Sequence, residues 1–272
     1  MPRSDSQKAT APRGDGARGD VGSHEPAAEA KKRALICIVV SPRAQVGKTF
    51  VARLLTDFLR LDGGKAAAFD LNPEGEALRD YLPAVATAAD LGEVRGQMAL
   101  FDRLIVNDGV AKVVDVGHGS FERFFAITQE IRFFEEARRR EIQPIILFTA
   151  DPHPAAVKAY ANLERRVRSA VLVPVLNEAI VKGRNLRDKF PFAQAVGVPL
   201  QIPMLAPTLM AQVDKSSYSF ADFHDRLPMP LPLEVAFELR SWTRRTFLEF
   251  RELELRLLLD RLRTSLGPDV AL

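Results

Sequence analysis

Short apolar runs, separated by longer amphipathic stretches, constrain the fold of this chain more than any other feature of its sequence. The runs have no polar alternation and most are rich in β-branched residues, which is typical of strands buried on both faces of a parallel sheet. They lie at 34–40, 65–69, 111–116, 144–149, 170–176 and 198–203. The amphipathic stretches between them lie at 48–62, 88–104, 121–140, 154–168 and 181–195.

This alternation predicts βαβ units with right-handed crossovers. The predicted fold class is therefore α/β, with a doubly wound, mostly parallel sheet and helices on both faces. Ligands of such sheets bind beyond the carboxyl ends of the strands. We therefore expect the functional site in the loops that follow residues 40, 69, 116, 149 and 176.

Composition divides the chain into three parts. Residues 1–33 are rich in Gly, Ala, Ser, Pro and charge and have almost no large apolar side chain, which predicts a disordered N-terminal tail. The α/β domain is predicted at 34–224. Prolines cluster at 225–232, and apolar residues recur at helical spacing through 233–265. We therefore interpret 225–272 as a linker and a long C-terminal helix that packs on the same domain.

Several classes of protein are disfavoured by composition. The single cysteine, Cys37, cannot form an intrachain disulfide, and no Cys/His cluster has zinc-ligand spacing. No run of about 18 apolar residues exists, so stable membrane insertion is not expected. The N-terminus lacks the apolar segment of a secretory signal, which favours a cytoplasmic protein. The net charge is only +3, so bulk charge does not indicate a nucleic-acid binder.

The loop after the first apolar run ends in Gly47-Lys48-Thr49, which is the end of a phosphate-binding P-loop. Backbone N–H groups of such a loop and of the following helix face an anion. Gly47 lets the backbone approach phosphate, Lys48 reaches the β- and γ-phosphates, and the Thr49 hydroxyl ligates Mg²⁺. The predicted ligands are therefore a nucleotide and Mg²⁺, although Pro42 stands where the full pattern has its first glycine.

The segment PRAQVGKT (42–49) resembles the deviant Walker A motif of the ParA/MinD ATPase family. Arg43 falls on the signature lysine of that family. Downstream, FDLNPEGEAL (69–78) resembles the second motif of the family and aligns Asp70 with its first acid. VVDVGHG (113–119) occupies the Walker B place and delivers Asp115 to the magnesium shell. VPVLNEA (173–179) resembles the strand whose terminal asparagine often meets adenine, here Asn177.

The resemblance implies a slow, Mg²⁺-dependent ATP hydrolase that acts as an ATP-gated homodimer. Family members position plasmids, chromosomes or other cargo through a partner protein or cargo adaptor. The implied catalytic residues are Arg43, Lys48, Asp70 and Asp115. The implied nucleotide contacts are Ala44, Gln45, Val46, Gly47, Lys48, Thr49, Phe50 and Asn177. The implied Mg²⁺ ligands are Thr49 and Asp115, and the signature residue normally reaches the nucleotide of the partner subunit.

Departures from the family pattern keep two other interpretations open. Ala44 and Gln45 replace two glycines, so the loop must avoid positive φ there or tolerate strain. Asn72 replaces a carboxylate, and an amide holds water but cannot accept its proton. Both changes favour a catalytically weak or inactive nucleotide-binding module that acts through a protein partner. A small-molecule kinase or synthetase ranks last, because the sequence has no dedicated substrate-phosphate site.

One stretch has a local excess of positive charge. Residues 158–189 hold eight Lys/Arg against three acids. Arg165, Arg166 and Arg168 fall on a predicted helix, where they would contact DNA phosphates without sequence preference. The alternative is a solvated helix face.

Overall fold

The computed structural model describes residues 34–72, 78–181, 199–225 and 231–266. The predicted tail at 1–33 lies outside these ranges, as do most of the predicted helix at 181–195 and most of the proline-rich linker.

A parallel sheet of seven strands forms the centre of the described structure. Its strands are β1 Leu35–Val40, β2 Ala66–Asp70, β3 Ala86–Ala88, β4 Ala111–Asp115, β5 Gln143–Thr149, β6 Val171–Asn177 and β7 Leu200–Ile202. The spatial order is β3-β2-β4-β1-β5-β6-β7, and every neighbouring pair is parallel. The carboxyl ends of all these strands therefore meet at one edge of the sheet.

Helices connect the strands and cover both faces of the sheet. They are α1 Lys48–Arg60, α2 Leu78–Tyr81, α3 Val94–Leu104, α4 Phe121–Glu130, α5 Phe133–Arg139, α6 Pro154–Arg166, α7 Pro207–Val213, α8 Phe220–Asp225 and α9 Leu233–Leu266. One core packs α1, α2, α7, α8 and α9 against the sheet. The other core packs α3, α4, α5 and α6 against the opposite face. The predicted doubly wound α/β class is confirmed.

The structure differs from the sequence prediction in three local details. The stretch predicted as a helix at 88–104 becomes helical only at Val94, and β3, a short edge strand, was not predicted. The stretch at 121–140 forms two helices, because Arg132 adopts a left-handed backbone with φ 51°. Such a conformation ends α4 and redirects the chain into α5.

The long helix α9 packs against the edge strand β7 and against α1. The indole Nε1 of Trp242 donates to the carbonyl of Pro203 at 3.1 Å. The backbone N–H of Gln201 donates to Glu249 Oε2 at 3.3 Å. A carboxylate from α9 therefore satisfies a donor on β7 that an edge strand would otherwise leave unpaired.

Within the described ranges, none of the helices combines the length and the apolar character needed to cross a membrane.

Candidate functional site

The P-loop (residues 41–47) joins the buried end of β1 to the first turn of α1. Gly47 has φ 83° and ψ 22° and precedes the helix, whose first bond runs from the Val51 N–H to the Gly47 carbonyl at 3.0 Å. Two features disfavour any side chain at position 47. The backbone is left-handed, and a Cβ would lie only 2.4 Å from Asn177 Nδ2. Gln45 also adopts a left-handed φ of 56°. The loop therefore keeps a positive φ at one of the two positions where the family has glycine, and a non-glycine residue tolerates it.

Lys48 lies within the loop rather than in solvent, with only 7% of its surface exposed. Its Nζ donates to the carbonyl of Arg43 at 2.6 Å. Burial lowers the pKa of Lys48, and the nearby Asp115 carboxylate partly opposes that shift. The ammonium is therefore poorly solvated, and it donates to an uncharged carbonyl.

Two buried carboxylates face the start of α1. Asp70 and Asp115 end β2 and β4 and are register partners in the sheet, so their side chains leave it at the same level. The Thr49 hydroxyl donates to Asp115 Oδ2 at 2.6 Å. Burial raises the pKa of Asp115 to about 7; repulsion by Asp70 adds to this, while the hydrogen bond from Thr49 and the charge of Lys48 oppose it.

Asn72 joins the two carboxylates. Its Nδ2 donates to Asp115 Oδ2 at 2.9 Å and to Asp70 Oδ1 at 3.1 Å, and its backbone N–H donates to Asp70 Oδ1 at 2.9 Å. These bonds occupy one oxygen of each carboxylate. The other two, Asp70 Oδ2 and Asp115 Oδ1, are buried and have no hydrogen-bond partner among the described residues.

These residues fit a magnesium ion that is shared with phosphate. Buried carboxylate oxygens without donors, next to a threonine hydroxyl, are the hard ligands that Mg²⁺ prefers. In the described part of the chain no group of three or more His, Cys, Asp or Glu is placed to hold a metal. Mg²⁺ commonly takes one or two carboxylates and completes its shell with water and substrate phosphates. The donor set therefore suits an Mg²⁺–nucleotide complex better than a resident metal.

The loop after β4 supports the loop after β2, a contact that the sequence analysis missed. A Cβ at Gly117 would lie 2.6 Å from Asn72 Oδ1 and 3.0 Å from the Leu71 carbonyl. The Ser120 hydroxyl donates to the same Leu71 carbonyl at 2.9 Å. Glycine at 117 therefore allows the close approach that places Asn72 between the carboxylates. The signal in the sequence was the Gly-His-Gly-Ser run at 117–120, which follows Asp115 and Val116.

Asn177 lies against the P-loop. It is 5% exposed, its Nδ2 donates to the Val46 carbonyl at 3.5 Å, and its Oδ1 accepts from the Ala179 N–H at 3.1 Å. Both ends of the amide therefore have protein partners, and adenine contact by Asn177 stays a prediction.

Among the other predicted nucleotide contacts, the Phe50 side chain packs against the core, whereas Ala44 and Gln45 are exposed. The Phe50 ring packs beside Phe220 and Trp242, with centroid distances of 6.0 and 5.9 Å. Its side chain belongs to the core, which leaves its backbone for the predicted nucleotide contact. Ala44 and Gln45 are exposed at the tip of the P-loop.

Arg43 is bound within its own chain, which the sequence analysis did not anticipate. Its Nε lies 3.0 Å from Asp151 Oδ2. Asp151 follows β5, the neighbour of β1 in the sheet. The sequence offered only an Asp-Pro pair after an apolar run, which indicated a turn.

The predicted DNA contacts, at and just beyond the end of α6, lie at the opposite edge of the sheet from the P-loop. Because α6 leaves the carboxyl edge of the sheet and runs back to the amino edge, its end lies opposite the P-loop. Arg165 and Arg166 donate to Asn162 Oδ1 at 2.6 Å and to Gln129 Oε1 at 2.7 Å. Both arginines and Arg168 are exposed. Lys158 of the patch also lies on α6, and the four basic residues at 182–189 lie outside the described residues.

Comparison with known proteins identifies neither a family nor a curated relative, since no protein-family model and no curated protein matches the sequence. Solved structures that match include the MinC:MinD cell division protein complex of Aquifex aeolicus, which is 14% identical with a TM-score of 0.38. That match covers 78% of this chain and 95% of the other. FlhF complexed with GMPPNP and Mg²⁺ is 14% identical with a TM-score of 0.28, over 54% of this chain and 56% of FlhF. Both likenesses concern the fold alone.

Proposed function

We propose that this chain binds ATP and Mg²⁺ at the P-loop and acts as a slow, nucleotide-gated ATPase of the ParA/MinD kind. One observation carries the proposal. Directly beyond the P-loop, Thr49 and Lys48 adjoin Asp115, which lies beside Asp70 in the sheet. Both carboxylates are buried, and each has one oxygen without a partner among the described residues. A fold does not retain such a group of polar atoms for stability, because each unpaired buried oxygen costs free energy.

Phosphate is the ligand class that the loop favours. The Lys48 ammonium is desolvated and bonds a neutral carbonyl, and an anionic oxygen is a stronger acceptor than a carbonyl. The N–H groups at the start of α1 add a second attraction for an anion. Thr49 and Asp115 would hold Mg²⁺, which supplies charge neutralisation of the phosphates when bound.

Hydrolysis is expected to be slow because of the residues that surround the attacking position. Asn72 is an amide and cannot take a proton from water. Asp70 Oδ2 has no donor within the described ranges, so this carboxylate can orient a water molecule while Asp115, which binds Thr49, serves the magnesium shell. We therefore assign water orientation to Asp70 and the magnesium shell to Asp115.

Dimerisation is the step that would turn nucleotide binding into a switch. Arg43 occupies the position of the family's signature lysine, and its side chain is 40% exposed. We propose that it reaches the nucleotide of a second subunit, so that ATP joins two copies and hydrolysis releases them. The proposed role is DNA or plasmid partitioning, or positioning of another cargo through a partner protein, with Arg165, Arg166 and Arg168 as nonspecific DNA contacts.

Mass measurement in solution tests this switch. Light scattering would be recorded at matched protein concentration with Mg²⁺ and either ADP or a non-hydrolysable ATP analogue. A monomer with ADP that becomes a dimer with the analogue is the expected result. An unchanged mass, with binding of both nucleotides verified by calorimetry, would instead favour the alternative: a catalytically weak or inactive nucleotide-binding module that acts through a protein partner.

A further inference from the structure

The ion pair between Arg43 and Asp151 spans the crevice at the centre of the sheet. Arg43 follows β1 and Asp151 follows β5, which are adjacent parallel strands. The chain leaves β1 towards β2 on one side of the sheet and leaves β5 towards β6 on the other. Adjacent strands with opposite exits form the switch point where α/β sheets bind their ligands. The ion pair therefore lies across the mouth of the proposed nucleotide site.

Asp151 is the fixed member of this pair. It is 8% exposed, its Oδ2 accepts from Arg43 Nε, and its Oδ1 accepts from the His153 N–H at 2.8 Å. The second bond forms a turn before α6, which sets the carboxylate independently of Arg43. The position of the Asp151 carboxylate therefore does not depend on its contact with Arg43.

Arg43 is held at its side chain and at its backbone. The guanidinium binds Asp151, and the carbonyl accepts from Lys48 Nζ at 2.6 Å. The carbonyl contact uses the ammonium that the proposed function assigns to phosphate. Phosphate binding therefore competes for the contact at the Arg43 carbonyl. The backbone N–H keeps its long bond to Ser41 Oγ at 3.4 Å, and the side chain keeps its contact with Asp151.

We propose that Asp151 is a positioning residue that retains Arg43 within its own subunit and so opposes nucleotide-dependent dimerisation. The inference rests on the proposed function, in which Arg43 acts on a second subunit. The contact through Nε holds the guanidinium on its own subunit, whereas a phosphate in trans requires the side chain to extend towards the second subunit. Releasing it from Asp151 is therefore part of the free energy of dimerisation.

The matched variant is Asp151→Asn, which keeps an oxygen for the His153 N–H and removes the charge that Arg43 binds. Dimer dissociation constants would be measured by sedimentation velocity with Mg²⁺ and a non-hydrolysable ATP analogue. We expect Asp151→Asn to dimerise more tightly by up to about fivefold per subunit, the range for an ion pair with one partly exposed member, and so by up to about 25-fold for a dimer that breaks the pair in both subunits. With ADP, both proteins should remain monomeric.

Arg43→Ala provides the control background. It should stay monomeric with or without Asp151→Asn, because the inferred effect of Asp151 passes through Arg43. Dimerisation of the double variant would overturn the inference, since it would show that Asp151 acts on the fold of the loop. Equal or weaker dimerisation of Asp151→Asn, compared with an unmodified protein that dimerises, would overturn the inference and leave the proposed function intact.

Two further outcomes separate the inference from the proposed function. If both proteins bind the analogue and neither dimerises, the proposed switch fails and the inference fails with it. If only Asp151→Asn dimerises, the inference is supported strongly.

The chemical reactivity of Arg43, measured without nucleotide, tests directly whether Asp151 restrains its side chain. Phenylglyoxal modification of Arg43, followed by mass spectrometry, should be faster in Asp151→Asn than in the unmodified protein. An unchanged rate would overturn the inference, because Asp151 would then not restrain Arg43 in solution.

Discussion

Asp70 and Asp115 stand side by side as register partners on adjacent parallel strands, and Asn72 bridges one oxygen of each carboxylate. Their other oxygens are buried without donors among the described residues. Burial, together with this proximity, raises the pKa of Asp115 to about 7. Two carboxyl groups held this way destabilise the fold unless a proton or a cation binds them. In the proposed function this cost is offset by Mg²⁺ at Asp115 and by a water molecule at Asp70.

Asp115→Asn should stabilise the nucleotide-free protein while weakening nucleotide binding. The amide removes the desolvation and repulsion that raise the pKa of Asp115. At pH 8 we expect the melting temperature to rise by about 2–4 °C, the shift that 1 kcal/mol produces in a domain of this size. Mg²⁺ should no longer strengthen ATP binding. Differential scanning fluorimetry and calorimetry with and without Mg²⁺ measure the two effects, and a lower melting temperature would contradict the account.

The stabilisation by Asp115→Asn should depend on pH. Because the pKa of Asp115 is about 7 in the folded chain and 3.8 ordinarily, the folded state binds the proton more tightly, and its stability falls as pH rises towards 7. The advantage of the variant should be complete above pH 7 and should shrink as pH falls below 7. Melting curves in EDTA between pH 5 and pH 8.5 supply this control.

Arg43→Ala should bind ATP with unchanged affinity and fail to dimerise. The guanidinium faces Asp151 rather than the interior of its own P-loop, so its loss leaves Lys48, Thr49 and Asp115 in place. Arg43→Lys, which restores the family's residue type, should dimerise. Calorimetry and light scattering give the two readouts. An Arg43→Ala protein that forms the ATP dimer would show that this residue is not the signature cation.

Asn177→Ala should weaken ATP and GTP binding by similar factors, about three- to tenfold for the loss of one supporting hydrogen bond. The reason is that its amide bonds the Val46 carbonyl and the Ala179 N–H and packs beside Gly47. The comparison of the two nucleotides is the decisive measurement. A selective loss of ATP affinity would instead support the adenine contact predicted from the sequence.

The pair Arg165→Glu and Arg166→Glu should weaken any DNA binding in a salt-dependent manner. Each lost phosphate contact should lower the slope of log affinity against log salt by about 1. Arg244→Glu with Arg245→Glu, at exposed positions of α9, makes the same charge change elsewhere. Fluorescence anisotropy with duplex DNA, Mg²⁺ and an ATP analogue measures both. Equal weakening by the two pairs would remove the assignment to α6.

The sequence predicted the sheet well because buried parallel strands leave continuous apolar runs, as in β1 and β5. It also predicted that the loops after β1, β2, β4 and β6 meet at one edge, since strands of a parallel sheet end there; the roles of the residues in these loops stay predictions. It missed β3, whose Ala-Thr-Ala carries no apolar signal, and the break at Arg132, where an arginine adopts a conformation typical of glycine. It missed the partner of Arg43 as well, because Asp151 lies 108 residues away and only the strand order brings the two together.

Binding of Mg²⁺–ATP to Lys48→Ala, measured by isothermal titration calorimetry, tests the central claim most directly. Lys65→Ala is the control, because that lysine is exposed and lies away from the P-loop. We expect the unmodified protein and Lys65→Ala to bind equally and Lys48→Ala to lose about 30- to 150-fold, which corresponds to roughly two to three kcal/mol for a charged hydrogen bond. Equal affinity of Lys48→Ala and the control, with the same melting temperature, would contradict the assignment of residues 41–49 as a nucleotide site.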